Sequence, residues 1–175
     1  MNARAVAGAL ALLLGACAAG PPTRSLPDLV GVPPAFEISG RLAWRDATRN
    51  EIVALRWTHR DRSDLWVLAS PLGNEVARIE SDASGATLTQ ASGGGVQADT
   101  FADLTERALG VAIEPADLAR WLHGAPPAEP AGPGWRVTIE ETRKAGAVDI
   151  ARRMSATNGG VTVRLVVNDY RLLAP

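Results

Sequence analysis

The residues that could carry chemistry are few, because the 175-residue chain has one cysteine, Cys17, and two histidines, His59 and His123. Nucleophilic catalysis needs a nucleophile, a base and an orienting acid, and neither histidine lies in a Gly-x-Ser-x-Gly context. The adjacent carboxylates Glu140 and Glu141 would point to opposite faces of a strand, so they cannot flank one substrate. One cysteine excludes an internal disulfide and a cysteine-rich zinc site. We therefore expect neither an enzyme nor a metal site.

Charge and composition exclude further classes of protein. Lys and Arg number 18 against 19 Asp and Glu, a net charge of −1, whereas a nucleic-acid-binding domain needs a clearly basic face. The run Ser92–Gly95 has three glycines but lacks the Lys-Ser/Thr ending of a phosphate-binding loop, and a hairpin explains it better. We expect no nucleic-acid partner and no cofactor, and the length is that of one globular domain.

Residues 1–16 have the pattern of a signal peptide that ends at a cysteine. An apolar run from Ala5 to Ala16 fits a signal-peptide core of about 7–15 residues and is too short to span a membrane. The run ends in Leu14-Gly15-Ala16-Cys17, which resembles a bacterial lipobox, so we expect Cys17 to carry a diacylglycerol anchor. A free cysteine beside an ordinary cleavage site is the alternative.

Residues 17–35 comprise the lipidated cysteine and a predicted tether. Five prolines follow Cys17 in this segment, and proline fixes φ and donates no N–H group, which favours an extended tether. A partly ordered arm packed on the domain is the alternative. Ala18 follows Cys17, where enterobacterial lipoproteins retained in the inner membrane carry Asp, so we expect an outer-membrane location with the domain facing the periplasm.

From Phe36 onward, apolar residues recur at every second position, as in strands with one buried face. Six short strand candidates fill residues 36–98 and are separated by short loops rich in Gly, Asn, Asp and Ser, which predicts an antiparallel meander. Two helices are predicted next, one from Phe101 with Thr100 as N-cap and Gly110 after its end, the other at about Pro115–His123. Strand patterns resume at residue 135.

Two short helices cannot cover both faces of so many strands. We therefore predict a mainly β fold, an open (incomplete) antiparallel β-barrel with the helices as a lid or plug on one side and an apolar interior.

Tryptophan is unusually prominent, since it supplies five of the eight aromatic residues: Trp44, Trp57, Trp66, Trp121 and Trp135. These residues could be ordinary core, or some could line a cavity for an apolar ligand, and the sequence leaves both open. A second unusual feature is Pro71-Leu72-Gly73, where a leucine stands in a tight turn that normally carries polar residues.

Several segments together resemble the LolB family of outer-membrane lipoprotein receptors. Besides the lipobox, they are the opening strand Phe36–Ala43 with its Gly-Arg pair, Arg56-Trp57, Ser70-Pro71-Leu72-Gly73, Leu109–Ile113 and Leu118–Pro126. The resemblance covers residues 36–124 well and the C-terminal strands more loosely. It assigns residues 36–175 to a LolB-like lipoprotein-binding domain.

The resemblance implies a function. Members accept acylated lipoproteins from the periplasmic carrier LolA and insert them into the inner leaflet of the outer membrane, without a nucleotide or a metal. Their helices form a lid over a hydrophobic cavity, and a protruding loop with an exposed leucine acts in insertion, which corresponds to Pro71, Leu72 and Gly73. The expected partners are LolA, lipoprotein cargo and outer-membrane phospholipids, and we expect a monomer. The predicted cavity residues are Leu42, Trp44, Leu55, Trp57, Val67 and Trp121.

Two other hypotheses stay open at this stage. The chain could be a lipid- or ligand-binding outer-membrane lipoprotein of the same fold without delivery activity, or a structural lipoprotein with a filled core.

Overall fold

The computed structural model describes residues 31–124 and 134–174. These residues form nine strands and two helices. In chain order they are β1 (Ala35–Arg45), β2 (Asn50–Arg60), β3 (Ser63–Ala69), β4 (Glu75–Asp82), β5 (Gly85–Gln90), β6 (Gly95–Ala98), α1 (Phe101–Leu109), α2 (Pro115–Leu122), β7 (Arg136–Ala145), β8 (Val148–Asn158) and β9 (Val161–Leu172).

All nine strands belong to one antiparallel sheet with the order β6-β5-β4-β3-β2-β1-β9-β8-β7. Every neighbouring pair is joined by a hairpin except β1 and β9, which pair from opposite ends of the domain sequence. The sheet does not close, because no pairing joins the edge strands β6 and β7 among the described residues. The predicted meander and open barrel are confirmed.

The pairing of β1 with β9 depends on one glycine. The register between these strands shifts at Ser39/Gly40, so the backbone of β9 approaches β1 unusually closely there. A Cβ atom at position 40 would lie 2.1 Å from the carbonyl oxygen of Val166. Only glycine fits this bulge, which lets the two halves of the sheet join.

Both helices begin as their sequence signals predict. The Thr100 hydroxyl accepts a hydrogen bond from the Asp103 amide at 3.0 Å, and Gly110 ends α1 in the left-handed conformation. Pro115 is the first residue of α2, where its missing N–H group costs nothing. The second helix ends at Leu122, one residue before the predicted end, with His123 as its C-cap.

One face of the sheet, called here the inner face, packs against both helices. Alternate residues of the strands point to this face, and with the helices they form a single apolar core. Ring contacts show that the helices cover the inner face. The ring centroid of Phe101 on α1 lies 4.9 Å from that of Trp66, and the ring centroid of His123 after α2 lies 4.9 Å from that of Phe36.

Because the hairpin strands alternate in direction, their turns collect at two ends of the sheet. The Leu72 pole comprises the turns at residues 46–49, 70–74, 91–94 and 159–160. The Phe36 pole comprises the turns at residues 61–62, 83–84 and 146–147, the start of β1 and the end of β9.

Candidate functional site

Most of the predicted cavity residues lie on the inner face. Leu42, Leu55, Trp57 and Trp121 are buried there, and Trp44 is half-buried near the Leu72 pole and packs against the core. These side chains come from β1, β2 and α2, so the sheet and a helix together form one apolar surface. The question of which strand face points inward, open from sequence alone, is therefore answered for these strands.

The prediction for Val67 is wrong, because the strand register places it on the opposite, outer face. Val67 pairs with Arg56 on β2 and Arg78 on β4, both outside the core. Its neighbour Trp66 is the inward residue, paired with Trp57 and only 2% exposed. Both faces of β3 are apolar, so alternation alone could not decide, and the pairing with Trp57 across the hairpin is the deciding signal.

An aromatic cluster closes the Phe36 pole. Phe36 is fully buried, and its ring centroid lies 5.1 Å from that of Trp57, 4.9 Å from His59, 4.9 Å from His123 and 5.8 Å from Tyr170. The cluster joins β1, β2 and β9 to the end of α2. The two histidines are 64 positions apart in the sequence, and the fold brings both against one phenylalanine.

Asp64 satisfies two buried hydrogen-bonding groups in this cluster. The Trp57 indole donates to Asp64 Oδ1 at 2.7 Å, and His59 Nδ1 lies 2.9 Å from the same oxygen. His59 is directly opposite Asp64 in the β2–β3 register, which explains the contact. A histidine and an acid could suggest catalysis, but the described residues place no nucleophile in hydrogen bond with His59.

His123 is bonded on both ring nitrogens. Its Nδ1 lies 2.7 Å from the Ala119 carbonyl oxygen, which can only accept, so Nδ1 carries the proton and Nε2 accepts from the Tyr170 hydroxyl at 3.0 Å. Burial lowers the pKa of His123, with a smaller contribution from nearby His59, and so favours the neutral ring. Burial also raises the pKa of Tyr170 to about 12, which keeps the phenol a donor.

Side-chain hydrogen bonds fix the segment between the two helices. Buried Thr105 on α1 accepts a hydrogen bond from the Ile113 amide at 2.9 Å, just before α2. The Trp135 indole donates to the Ala112 carbonyl at 3.2 Å, and its ring lies 6.0 Å from that of Trp121. These bonds therefore connect the segment between the helices to α1 on one side and to Trp135, which precedes β7, on the other.

The loop between β3 and β4 presents Leu72 to solvent. Hydrogen bonds from the Ser70 amide to the Asn74 carbonyl (2.8 Å) and from the Gly73 amide to the Ser70 carbonyl (2.9 Å) close the turn. Gly73 has φ +89°, a conformation that favours glycine. Pro71 and Gly73 are exposed beside Leu72, which is 89% exposed, so a tight turn holds a large apolar side chain in water.

A polar concavity of about 810 Å³ lies at the Phe36 pole. Its lining includes Arg60, Asp64, Asp82, Asp99 and Arg107, so it lacks the apolar walls that acyl chains require. Among the described residues, no group of three or more His, Cys, Asp or Glu side chains is arranged to hold a metal ion.

The adjacent acids Glu140 and Glu141 form separate ion pairs. Glu140 contacts Arg164 on β9 at 3.3 Å, whereas Glu141 contacts Arg152 and Arg153 on β8. Their side chains therefore link β7 to two different strands at the sheet surface.

The predicted signal peptide, Cys17 and most of the tether lie outside the described residues. No helix in the described part of the chain is both long enough and apolar enough to cross a membrane.

Comparison of the whole domain with solved structures identifies the class of fold. The chain resembles the crystal structure of a putative outer membrane lipoprotein-sorting protein domain from Vibrio parahaemolyticus, with a TM-score of 0.52 over 80% of this chain and 86% of that one. Sequence identity is only 8%, so this likeness establishes the shared fold alone.

Sequence comparison then identifies the family. The family model described as "Outer membrane lipoprotein LolB" matches residues 34–170. Two relatives named outer-membrane lipoprotein LolB are similar over nearly their whole length. The protein from Azoarcus sp. (strain BH72) is 30% identical, covering 96% of this chain and 93% of its own, and that from Thiobacillus denitrificans is 31% identical, covering 98% of both. The chain belongs to the LolB family of outer-membrane lipoproteins.

Proposed function

We propose that this protein is a receptor that accepts acylated lipoproteins from the periplasmic carrier LolA and inserts them into the inner leaflet of the outer membrane. The observation that carries the proposal is the pairing of an apolar inner face under two helices with Leu72, 89% exposed on a tight turn of the same sheet. The first feature suits acyl chains, and the second suits insertion into a bilayer.

The cost of exposing acyl chains explains why such a receptor is needed. Each buried CH₂ group contributes about 0.8 kcal/mol, so exposing two or three acyl chains to water costs on the order of 20 kcal/mol or more. Free diffusion across the periplasm is thereby excluded, and cargo must pass from one apolar site to another. The direction of cargo transfer is set by the difference between the affinities of the carrier and the receptor for the cargo, where about 1.4 kcal/mol corresponds to a factor of ten. Such a difference requires no enzymatic step.

The acyl chains would bind between the inner face and the helices. Leu42, Leu55 and Trp57 supply the sheet side of this proposed site, Trp121 the helix side, and Trp44 the end nearest the Leu72 pole. These side chains now pack against one another, so loading requires the helices to move away from the sheet. Such a lid movement would break hydrogen bonds that join the helices to the strands, among them the bond from Arg107 on α1 to the Gln97 carbonyl on β6 and the bond between His123 and Tyr170 on β9.

The anchor and the partners complete the proposal. Cys17 would hold the protein in the outer membrane as a lipid-anchored monomer facing the periplasm, with LolA, lipoprotein cargo and outer-membrane phospholipids as its partners.

Acceptance can be tested with the soluble Cys17→Ala mature protein, which begins at position 17. This protein is mixed with LolA already loaded with a lipoprotein, and the two are separated to see which holds the cargo. We expect the cargo to move to this chain. Cargo that stays on a carrier able to release it to another receptor would instead favour a lipid-binding relative without delivery activity.

Insertion can be tested by placing a charge on the protruding loop. We expect Leu72→Glu to accept cargo normally but fail to transfer it into phospholipid vesicles, because a carboxylate opposes entry into the bilayer. The matched control is Leu172→Glu, since Leu172 is also a strongly exposed leucine (52%) but lies at the Phe36 pole. Equal insertion by wild type and Leu72→Glu, or equal loss in both variants, would contradict the role of Leu72.

A further inference from the structure

Among the described residues, four buried polar side-chain atoms have no hydrogen-bond partner: Trp44 Nε1, Trp66 Nε1 and Ser70 Oγ on the inner face, and Arg120 Nε on α2, whose guanidinium contacts Asp117 at 3.5 Å. Other indole groups of the same core are satisfied, since Trp57 donates to Asp64 and Trp135 donates to the Ala112 carbonyl. Buried polar atoms are nearly always hydrogen-bonded, so each exception calls for a physical explanation.

Trp66 has an explanation inside the protein. Its ring lies between Trp57, at a centroid distance of 5.5 Å, and Phe101, at 4.9 Å. Aromatic faces accept N–H groups weakly, so this indole is surrounded by possible acceptors. Trp44 and Ser70 differ, because no ring contact of Trp44 and no side-chain partner of Ser70 is found among the described residues.

Trp44 and Ser70 lie at the same end of the inner face. Ala54 pairs with Ala69, so Ser70 follows at the level of Val53, which pairs with Leu42 on β1. Trp44 is two residues beyond Leu42 on the same face. The two positions are therefore separated by about two strand spacings, or ~10 Å, across the sheet and by two residues along the strand direction. Both are at the Leu72 pole, and Ser70 opens the Leu72 loop itself.

We propose that Trp44 Nε1 and Ser70 Oγ form a polar subsite for the ester or amide carbonyl oxygens at the head of acylated cargo, with the hydrocarbon chains running along the inner face towards the Phe36 pole. The inference rests on the proposed function. Carbonyl oxygens are acceptors without a proton, so they match two unpartnered groups that can both donate. Hydrocarbon has no such atom and would leave both groups unsatisfied.

The orientation follows from the contrast between the two ends. At the Phe36 pole, the buried groups Trp57, His59 and His123 already have partners and are packed around Phe36, so they have no free donor for an acyl carbonyl. The polar concavity at this pole is lined by charged side chains and lacks the apolar walls that the attached chains need. A head bound at the Leu72 pole would leave the attached cargo polypeptide outside, beside the loop proposed to enter the membrane. The subsite would therefore hold cargo in the orientation from which its chains can leave past Leu72.

The test compares one ligand that has acyl carbonyls with one that has none. Ser70→Ala, Trp44→Phe and the double variant are titrated in the Cys17→Ala mature protein with a synthetic triacylated lipopeptide and with a fluorescent hydrocarbon probe that lacks oxygen. We expect the double variant to bind the lipopeptide roughly tenfold more weakly, the effect of two modest hydrogen bonds, and the hydrocarbon as tightly as wild type.

Trp66→Phe is the matched control, because it makes the same change on the same face at an indole surrounded by rings. We expect it to leave the ratio of the two affinities unchanged. If Trp44→Phe does not fold, 3-benzothienylalanine at position 44 keeps the ring shape without the N–H group, and Ser70→Ala supplies an independent test.

Several outcomes would overturn the assignment. If the affinities for both ligands fall equally, the two residues line the site without recognising a carbonyl group. If neither affinity falls, the two residues do not belong to the binding site. If the variants bind phosphatidylethanolamine more weakly but bind the lipopeptide as tightly as wild type, the subsite would recognise the carbonyl groups of membrane lipid and not those of cargo. Failure of the wild-type protein to bind the lipopeptide at all would contradict the proposed function itself, so the two failures are distinguishable.

Discussion

The two poles of the sheet are built in opposite ways. At the Phe36 pole, buried aromatic rings pack on one another, and Asp64, His59, His123 and Tyr170 are all hydrogen-bonded. At the Leu72 pole, Trp44 and Ser70 each bury a polar atom without a partner, and a leucine stands in water. One pole has the features of a stable core, whereas the other has polar groups without a partner among the described residues and an exposed apolar side chain.

Exposed apolar side chains show the same asymmetry. Of the five large hydrophobic residues exposed in the described part of the chain, Leu72, Ile52, Val76 and Val96 lie towards the Leu72 pole, and only Leu172 lies at the Phe36 pole. Contiguous exposed apolar patches in soluble proteins mark sites that contact a partner or a membrane. We expect stability to depend mainly on the Phe36 pole and the proposed insertion on the Leu72 pole, and the following variants test this division.

The largest effect on stability is expected at Phe36. Phe36→Ala would remove a fully buried ring that contacts Trp57, both histidines and Tyr170, and we expect it to lower the free energy of unfolding by about 3–5 kcal/mol. Urea denaturation followed by tryptophan fluorescence measures this loss. A loss below about 1 kcal/mol would show that the cluster is not the stable centre of the domain.

Substitutions of Asp64 test the contribution of buried hydrogen bonds at the Phe36 pole. Asp64→Ala would leave the Trp57 indole and His59 without their acceptor, and we expect a loss of about 2 kcal/mol, within the range for unsatisfied buried groups. Asp64→Asn keeps one acceptor oxygen and should recover part of the loss. Equal destabilisation by both substitutions would indicate that packing, and not hydrogen bonding, explains the effect.

His123 makes the Phe36 pole sensitive to acid. Its pKa is lowered in the folded protein from an ordinary value of 6.5, so below about pH 6.5 the unfolded chain binds more protons than the folded one. Stability should therefore be highest above this pH and fall as the pH drops towards the lowered pKa. Urea midpoints at pH 7.5 and 5.0 should show a smaller drop in His123→Gln than in wild type, and an unchanged drop would contradict the assignment.

Local signals in the sequence predicted the local structure well. The Thr100 cap, Gly110 and Pro115 act within a few residues, and all three appear where the sequence placed them. The exposed position of Leu72 was likewise suggested by its place between proline and glycine. Signals of this kind depend on neighbours along the chain, so no knowledge of strand pairing is needed.

Features that depend on the exact register between paired strands could not be predicted. Val67 was assigned to the wrong face because β3 is apolar on both sides, and only its register with Trp57 reveals that Trp66 points inward. The contact of His59 with Asp64 has the same origin. The unpartnered atoms of Trp44 and Ser70 are still less accessible, because a missing hydrogen bond becomes visible only when every neighbour is placed.

The smallest effect on stability is expected at the residue proposed to matter most for insertion. Leu72→Ala would remove an apolar side chain that is 89% exposed and leave the two backbone hydrogen bonds of the turn intact, so the free energy of unfolding should change by less than about 0.5 kcal/mol. The same urea denaturation measures it. A loss comparable to that of Asp64→Ala would mean that Leu72 packs on the domain in solution, and the division between a stabilising pole and a functional pole would fail.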